Sequence, residues 1–185
     1  FRDIQASLHA VHDDSGAPLV VRRRALEASV RAPEEWHQGA IRAAHASRDA
    51  DWRLTAIFCM RFVAGFESEI VAALSSADPD VLYEAVEAAG AQSVAAAWPH
   101  VVSLVESPAT EKTLLLAAIE AVASIRPEEA PEVLDDLLDS EDEEIADAVA
   151  EALVMAEEAP DAEDGEAEES DEAAGDEEED PPGRG

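Results

Sequence analysis

Five histidines, one cysteine and a run of three arginines are the side chains from which this sequence could build a reactive or binding centre. His9 and His12 stand three residues apart with Asp13 following, a spacing that puts two imidazoles on one helix face and could seat a metal ion. At the end of a chain, where a helix frays, the pair reads instead as a solvated helix face. Cys59 lies in the apolar run LTAIFCM with nothing nearby in sequence to lower its pKa, so it reads as a buried, inert thiol. A single cysteine also excludes an intramolecular disulfide and a zinc site of several thiolates. Arg22, Arg23 and Arg24 form the one basic cluster; consecutive residues point to different faces of a helix, and neighbouring acids are their expected partners, with a docking site as the alternative. No glycine-rich phosphate loop, nucleophile elbow or metal-binding helix motif occurs, and no catalytic residue, cofactor or metal is expected.

Charge narrows the partners. The formal net charge is -32, and residues 1–61 carry about +1 of it while 62–185 carry -33. Over residues 1–155 there are 11 bases against 29 acids, a surface that repels nucleic-acid phosphates and anionic lipid. One lysine against eleven arginines, with an acidic body, also fits a GC-rich, salt-adapted source, in which case the acid excess serves solvation rather than a partner. The longest apolar runs fall well short of the roughly 20 residues of a membrane-spanning helix, so a soluble, cytoplasmic protein is expected. The chain begins at Phe1 without a methionine and is read as a fragment or processed product with a truncated first repeat.

The elements that must position any site are helical. In the stretch 111–140, Leu115, Ala118, Ile119, Val122 and Ile125 make one apolar stripe and Val133, Leu134, Leu137 and Leu138 another, with Arg126 to Glu129 between them. The stretch reads as one complete helical hairpin, too short to be stable alone. A column of alanine followed by a larger aliphatic repeats as Ala25-Leu26, Ala56-Ile57, Ala85-Val86, Ala118-Ile119 and Ala148-Val149, at spacings of 31, 29, 33 and 30. Three residues after each alanine stand Ala28, Cys59, Ala88, Ala121 and finally Glu151, the wet outer face of a capping repeat. Asp49, Asp78-Pro79, Ser107-Pro108 and Ser140 with Glu143 are read as helix starts, and Gly65 and Gly90 as left-handed helix ends. Helices are expected near 2–12, 18–31, 34–47, 51–63, 66–76, 80–89, 96–106, 109–125, 128–139 and 142–156. Beyond them, Glu157 to Asp180 hold 15 acids and no aliphatic larger than alanine, so 157–185 is expected to be a disordered acidic tail behind a body at 1–156.

The segments DADWRLTAIFCM, DPDVLYEAVEAAG and EEAPEVLDDLLDS resemble HEAT repeats, in particular the short HEAT-like repeats shared by phycocyanobilin lyase subunits and prokaryotic proteins. The resemblance implies an all-α α-solenoid: a right-handed superhelix of about five helical hairpins, second helices on the concave side, holding other macromolecules. The arginine usual early in the first helix is Leu82, Leu114 and Ala146 in the later copies, and the glycine usual near its end is Arg61 in one. Relatives that are hydroxylases carry His-Glu dipeptides, whereas His9, His12, His37, His45 and His100 are followed by Ala, Asp, Gln, Ala and Val. Glycosylase relatives need a basic face, which this body lacks.

The expected function is therefore a non-enzymatic interaction scaffold whose partner is another protein, with neither nucleic acid nor membrane. The expected binding face is a ladder on the second helices: Gln38, Arg42 and His45, then Ser68 and Ser75, then His100 and Ser103, then Asp135 and Asp139. Trp36, Trp52 and Trp98 are expected to pack between repeats. Two alternatives stand beside this: an acidic-tail chaperone or nucleic-acid mimic that binds basic proteins, and a bilin lyase-type subunit for chromophore attachment.

Overall fold

A small residue beside a large aliphatic lets one helix approach another closely while filling the gap between them. Ala56-Ile57, Ala85-Val86 and Ala118-Ile119 are all buried in this way. The computed structural model describes residues 2–159, and over them the chain forms ten α-helices and one 3₁₀ turn, with no strand. In order these are α1 (Arg2–Asp13), α2 (Leu19–Ser29), α3 (Glu35–His45), α4 (Ala50–Met60), α5 (Glu67–Ala73), α6 (Pro79–Ala91), α7 (Trp98–Glu106, entered through the turn Ala95–Ala97), α8 (Lys112–Ile125), α9 (Ala130–Leu138) and α10 (Glu143–Glu157). The expected acidic tail falls outside the described residues from 160 onward, while Glu157 closes α10.

The even-numbered helices pack side by side as one layer, α2 on α4, α4 on α6, α6 on α8 and α8 on α10, and the α6–α8 contact is the most extensive. Each odd-numbered helix packs chiefly on the even helix that follows it, which gives five hairpins, α1–α2 through α9–α10. This corrects the reading of 111–140 as the repeating hairpin, because α8 touches α9 only slightly and α9 rests on α10. The reason lies in α8 itself. Its buried residues Leu115, Ala117, Ala118, Ala121 and Ala123 ring most of the helix, so it serves α6, α7 and α10 rather than a single partner. One continuous core runs from Leu26 to Ala152.

Three helix ends differ from expectation. Asp49 and Asp78 do cap α4 and α6, Asp49 accepting from the amides of Asp51 and Trp52 and Asp78 from that of Asp80. Ser107, however, closes α7, and α8 starts at Glu111, whose carboxylate accepts from the Thr113 amide. Ser140 accepts from the Asp142 amide and Asp142 is the cap of α10, two residues beyond the expected one. Gly65 takes a left-handed backbone, φ 92°, between α4 and α5, but Gly90 lies inside α6. The left-handed residue ending α6 is Ser93, φ 47°. Its amide donates to the Gly90 carbonyl and that of Val94 to Ala89, a Schellman closure on serine, whose hydroxyl also donates to the Ser124 carbonyl.

Candidate functional site

The basic cluster is spent locally. Arg22 donates to the His12 carbonyl (2.7 Å) and lies over the Trp52 ring, Arg23 reaches Asp51 (2.6 Å) and Thr55 (3.1 Å), and Arg24 pairs with Glu27. The expected pairing with acids is thus present for Arg23 and Arg24, and Arg22 instead ties α2 to the end of α1. His9 stacks on Trp36 at 4.0 Å and pairs with Asp13, and Trp36 in turn stacks on His37. Trp98 is buried and Trp36 and Trp52 are half-buried, which puts all three in packing roles. Cys59 is fully buried, and that burial pushes its thiol pKa up, away from nucleophilic use. Among the described residues, no three or more His, Cys, Asp or Glu side chains converge as metal ligands would.

The ladder expected on the second helices maps onto α3, the start of α5 and its exit, α7 and α9. Eight of its nine residues are exposed and His100 is half-buried. Gln38 donates to the Ala64 carbonyl at 3.4 Å, and Arg42 lies over the Phe66 ring at 5.1 Å. The Ser68 hydroxyl donates to Glu69, which is the chief cause of that carboxyl's lowered pKa. Ser75 sits just past α5, Ser103 on α7, and Asp135 and Asp139 one turn apart at the end of α9. The His100 Nδ1 is buried without a hydrogen-bond partner among the described residues.

Three depressions lie elsewhere, on the outer face of the even-numbered layer, while a further one of about 210 Å³ sits among α1 to α4, lined by His12, Arg22, Ala40, Ala44 and Trp52. Two residues after the column alanines come Glu27, Phe58, Glu87 and Glu120, and every one lines a groove on that face. That repeat phase was the available signal for this surface, and reading the second helices for it missed them. A groove of about 500 Å³ lies between α2 and α4, walled by Arg23, Arg31, Glu27 and Phe58. Beside it Arg61, standing where the repeat usually has glycine, reaches Glu84 (2.9 Å) and Glu87 (3.0 Å) across the α4–α6 seam. Burial raises both carboxyl pKa values, and Arg61 opposes the shift. A smaller depression of about 230 Å³ follows between α6 and α8.

The largest of these grooves, about 1380 Å³, spans α6, α8 and α10. Leu116, Ala117, Ala148, Ala152 and Met155 supply an apolar floor, and eight carboxylates line it against one cation, Lys112. Lys112 is pinned by Asp142 (2.8 Å) and Glu144 (2.5 Å), which raises its pKa and lowers that of Asp142. None of the nine ladder residues lines any of these grooves.

Comparison with known proteins agrees with this architecture. The family model described as HEAT repeats matches residues 67–154, which run from the start of α5 into α10. No curated protein matches the chain. Among solved structures, the crystal structure of an engineered protein from the Northeast Structural Genomics Consortium is similar, at 20% identity and a TM-score of 0.55, over 83% of this chain and 79% of that one. At that identity the likeness speaks for the fold alone. The match takes in two of the five hairpins and all but the last three residues of a third, and the chain is an α-solenoid whose residues 67–154 match the HEAT-repeat model.

Proposed function

We propose that this chain is a non-enzymatic protein-interaction scaffold that engages its partner with the outer face of the even-numbered helices. HEAT repeats suggest a protein-interaction scaffold, and the observation that carries the choice of face is the series of grooves crossing α2 to α10. The ladder on the odd-numbered helices is exposed but lines none of them. A bilin lyase-type role gains nothing here. A tetrapyrrole carries propionates, and the large groove presents eight carboxylates, so like charges would meet across it.

The test is site-directed photo-crosslinking in extract of the source organism, with a crosslinkable residue at Leu116 on the even layer or at Ser103 on the odd layer of the full chain. Crosslinking of one defined protein from Leu116 and not from Ser103 is the expected result. Crosslinking from Ser103 alone would move the interface to the ladder. Defined products from neither position would remove the scaffold reading.

A further inference from the structure

We propose that the groove across α6, α8 and α10 captures a lysine- or arginine-rich amphipathic segment of a partner protein. The inference rests on the scaffold reading above and names the chemistry of its partner. Size comes first. Small-molecule sites enclose about 300–1,000 Å³, whereas this groove holds about 1380 Å³ and opens along three adjacent helices. Neighbouring helix axes lie about 8–10 Å apart, so the groove is about 20 Å across. About six extended residues or thirteen helical ones would span it.

The lining then fixes the character of the occupant. Leu116 is half-buried and Met155 is 40% exposed, so apolar surface is left facing the groove at α8 and α10. Around this floor Glu120, Glu143, Asp147 and Glu151 have no ion-pair partner among the described residues, and Lys112 is already held by Asp142 and Glu144. A segment with aliphatic side chains against the floor and cations toward the walls satisfies both features, because long cationic side chains lay their stems on apolar surface while their charged ends reach out. The chain's own continuation does not fit. Residues 160–185 carry thirteen acids and one arginine, so they share the groove's sign. Nucleic acid and anionic lipid are refused for the same reason.

The experiment is fluorescence anisotropy on the full chain with a labelled fourteen-residue helical peptide of leucine and lysine, beside oligolysine of equal length, at about 0.15 M salt. Three double variants alter the charge equally: D147R/E151R in the groove, D135R/D139R on α9, and E168R/E169R in the acidic C-terminal stretch. The groove pair is expected to weaken the leucine–lysine peptide by about tenfold or more, and the other two pairs by less than about threefold. Oligolysine should bind about tenfold more weakly than the leucine–lysine peptide, and L116S/M155S should abolish that difference. If D147R/E151R fails to fold by circular dichroism, D147N/E151Q is compared with D135N/D139N instead, with an expected loss of about threefold for the groove pair and none for the α9 pair.

Equal weakening by all three pairs, or equal binding of the two peptides, would overturn the proposal in favour of diffuse acidity. Binding of neither peptide, with Leu116 still crosslinking one protein, would overturn the basic occupant and leave the scaffold standing.

Discussion

His37 is fully buried between α1, α2 and α3, and its hydrogen bonds define its tautomer. The Glu34 amide donates to Nδ1 at 2.8 Å, so the proton sits on Nε2, which donates to the Ser29 hydroxyl at 3.0 Å. That hydroxyl donates to the Leu26 carbonyl, and Gln5 donates to the Ser29 carbonyl. A second proton on Nδ1 would displace the hydrogen bond from the Glu34 amide, would have the Glu34 carbonyl oxygen 3.1 Å away as its acceptor, and would add a charge near His9 and His12. Burial is the largest cause of the lowered pKa, the neighbouring histidines lower it further, and Glu34 works against them. The sign follows from linkage. With the folded pKa below the unfolded value of about 6.5, the unfolded chain takes up the proton first as pH falls, so this stability is complete above that pH and declines below it. Relief of carboxylate repulsion acts in the opposite direction, so the readout is the difference between wild type and His37→Asn. H37N is expected to cost about 1–3 kcal/mol at pH 7.5, and the gap between the two unfolding free energies should narrow toward pH 5; a gap independent of pH would refute it. The sequence offered no sign of this residue's role, since Ser29 and Gln5 are brought to it only by the packing of three helices.

At the scale of helices, the two helical glycines should respond to alanine in opposite ways. Gly39 in α3 has nothing within 4 Å of a built Cβ, so G39A gains helix propensity and is expected to stabilise by about 0.5–1 kcal/mol. A Cβ on Gly90 would lie 3.1 Å from the Ala121 Cα and 3.2 Å from its Cβ, inside the most extensive helix contact of the fold. Backbone in α8 cannot turn aside as a flexible side chain would, so G90A is expected to destabilise by about 1–2 kcal/mol net of its propensity gain. Urea unfolding of both variants checks this, and stabilisation by G90A would show that α6 and α8 have slack between them. Gly90 also marks the limit of legibility at this scale. All ten helices and the alanine column, buried at Ala25, Ala56, Ala85 and Ala118, could be read from spacing, because both follow from periodicity. The starts of α4 and α6 could also be read, from Asp49 and Asp78, but those of α8 and α10 could not, since Ser107 and Glu111, or Ser140 and Asp142, compete for one start within a few residues and packing decides between them.

Over the whole molecule, the direction of the charge gradient was legible from composition, but the grooves were not, because a groove depends on how far apart α6, α8 and α10 stand and composition carries no such distance. The gradient has a consequence for folding. Residues 62–185 hold only three lysines or arginines, so ion pairs can offset little of the carboxylate repulsion there. Those that form, such as Lys112 with Asp142 and Glu144, are solvent-exposed, and pairs of that kind are screened and contribute little. Added salt therefore screens more repulsion than attraction, its reach shrinking from about 10 Å at 0.1 M to about 3 Å at 1 M. The melting temperature is expected to rise by several degrees between about 0.05 and 1 M NaCl at pH 7.5, and by less in D147N/E151Q, which starts from a higher value. A melting temperature that falls with salt would mean that the ion pairs outweigh the repulsion. Capture of a basic segment should show the opposite dependence, weakening over the same range, because its attraction is screened along with the repulsion. Opposite salt slopes for folding and binding, both reduced by D147N/E151Q, would trace the two effects to the same carboxylates of α10.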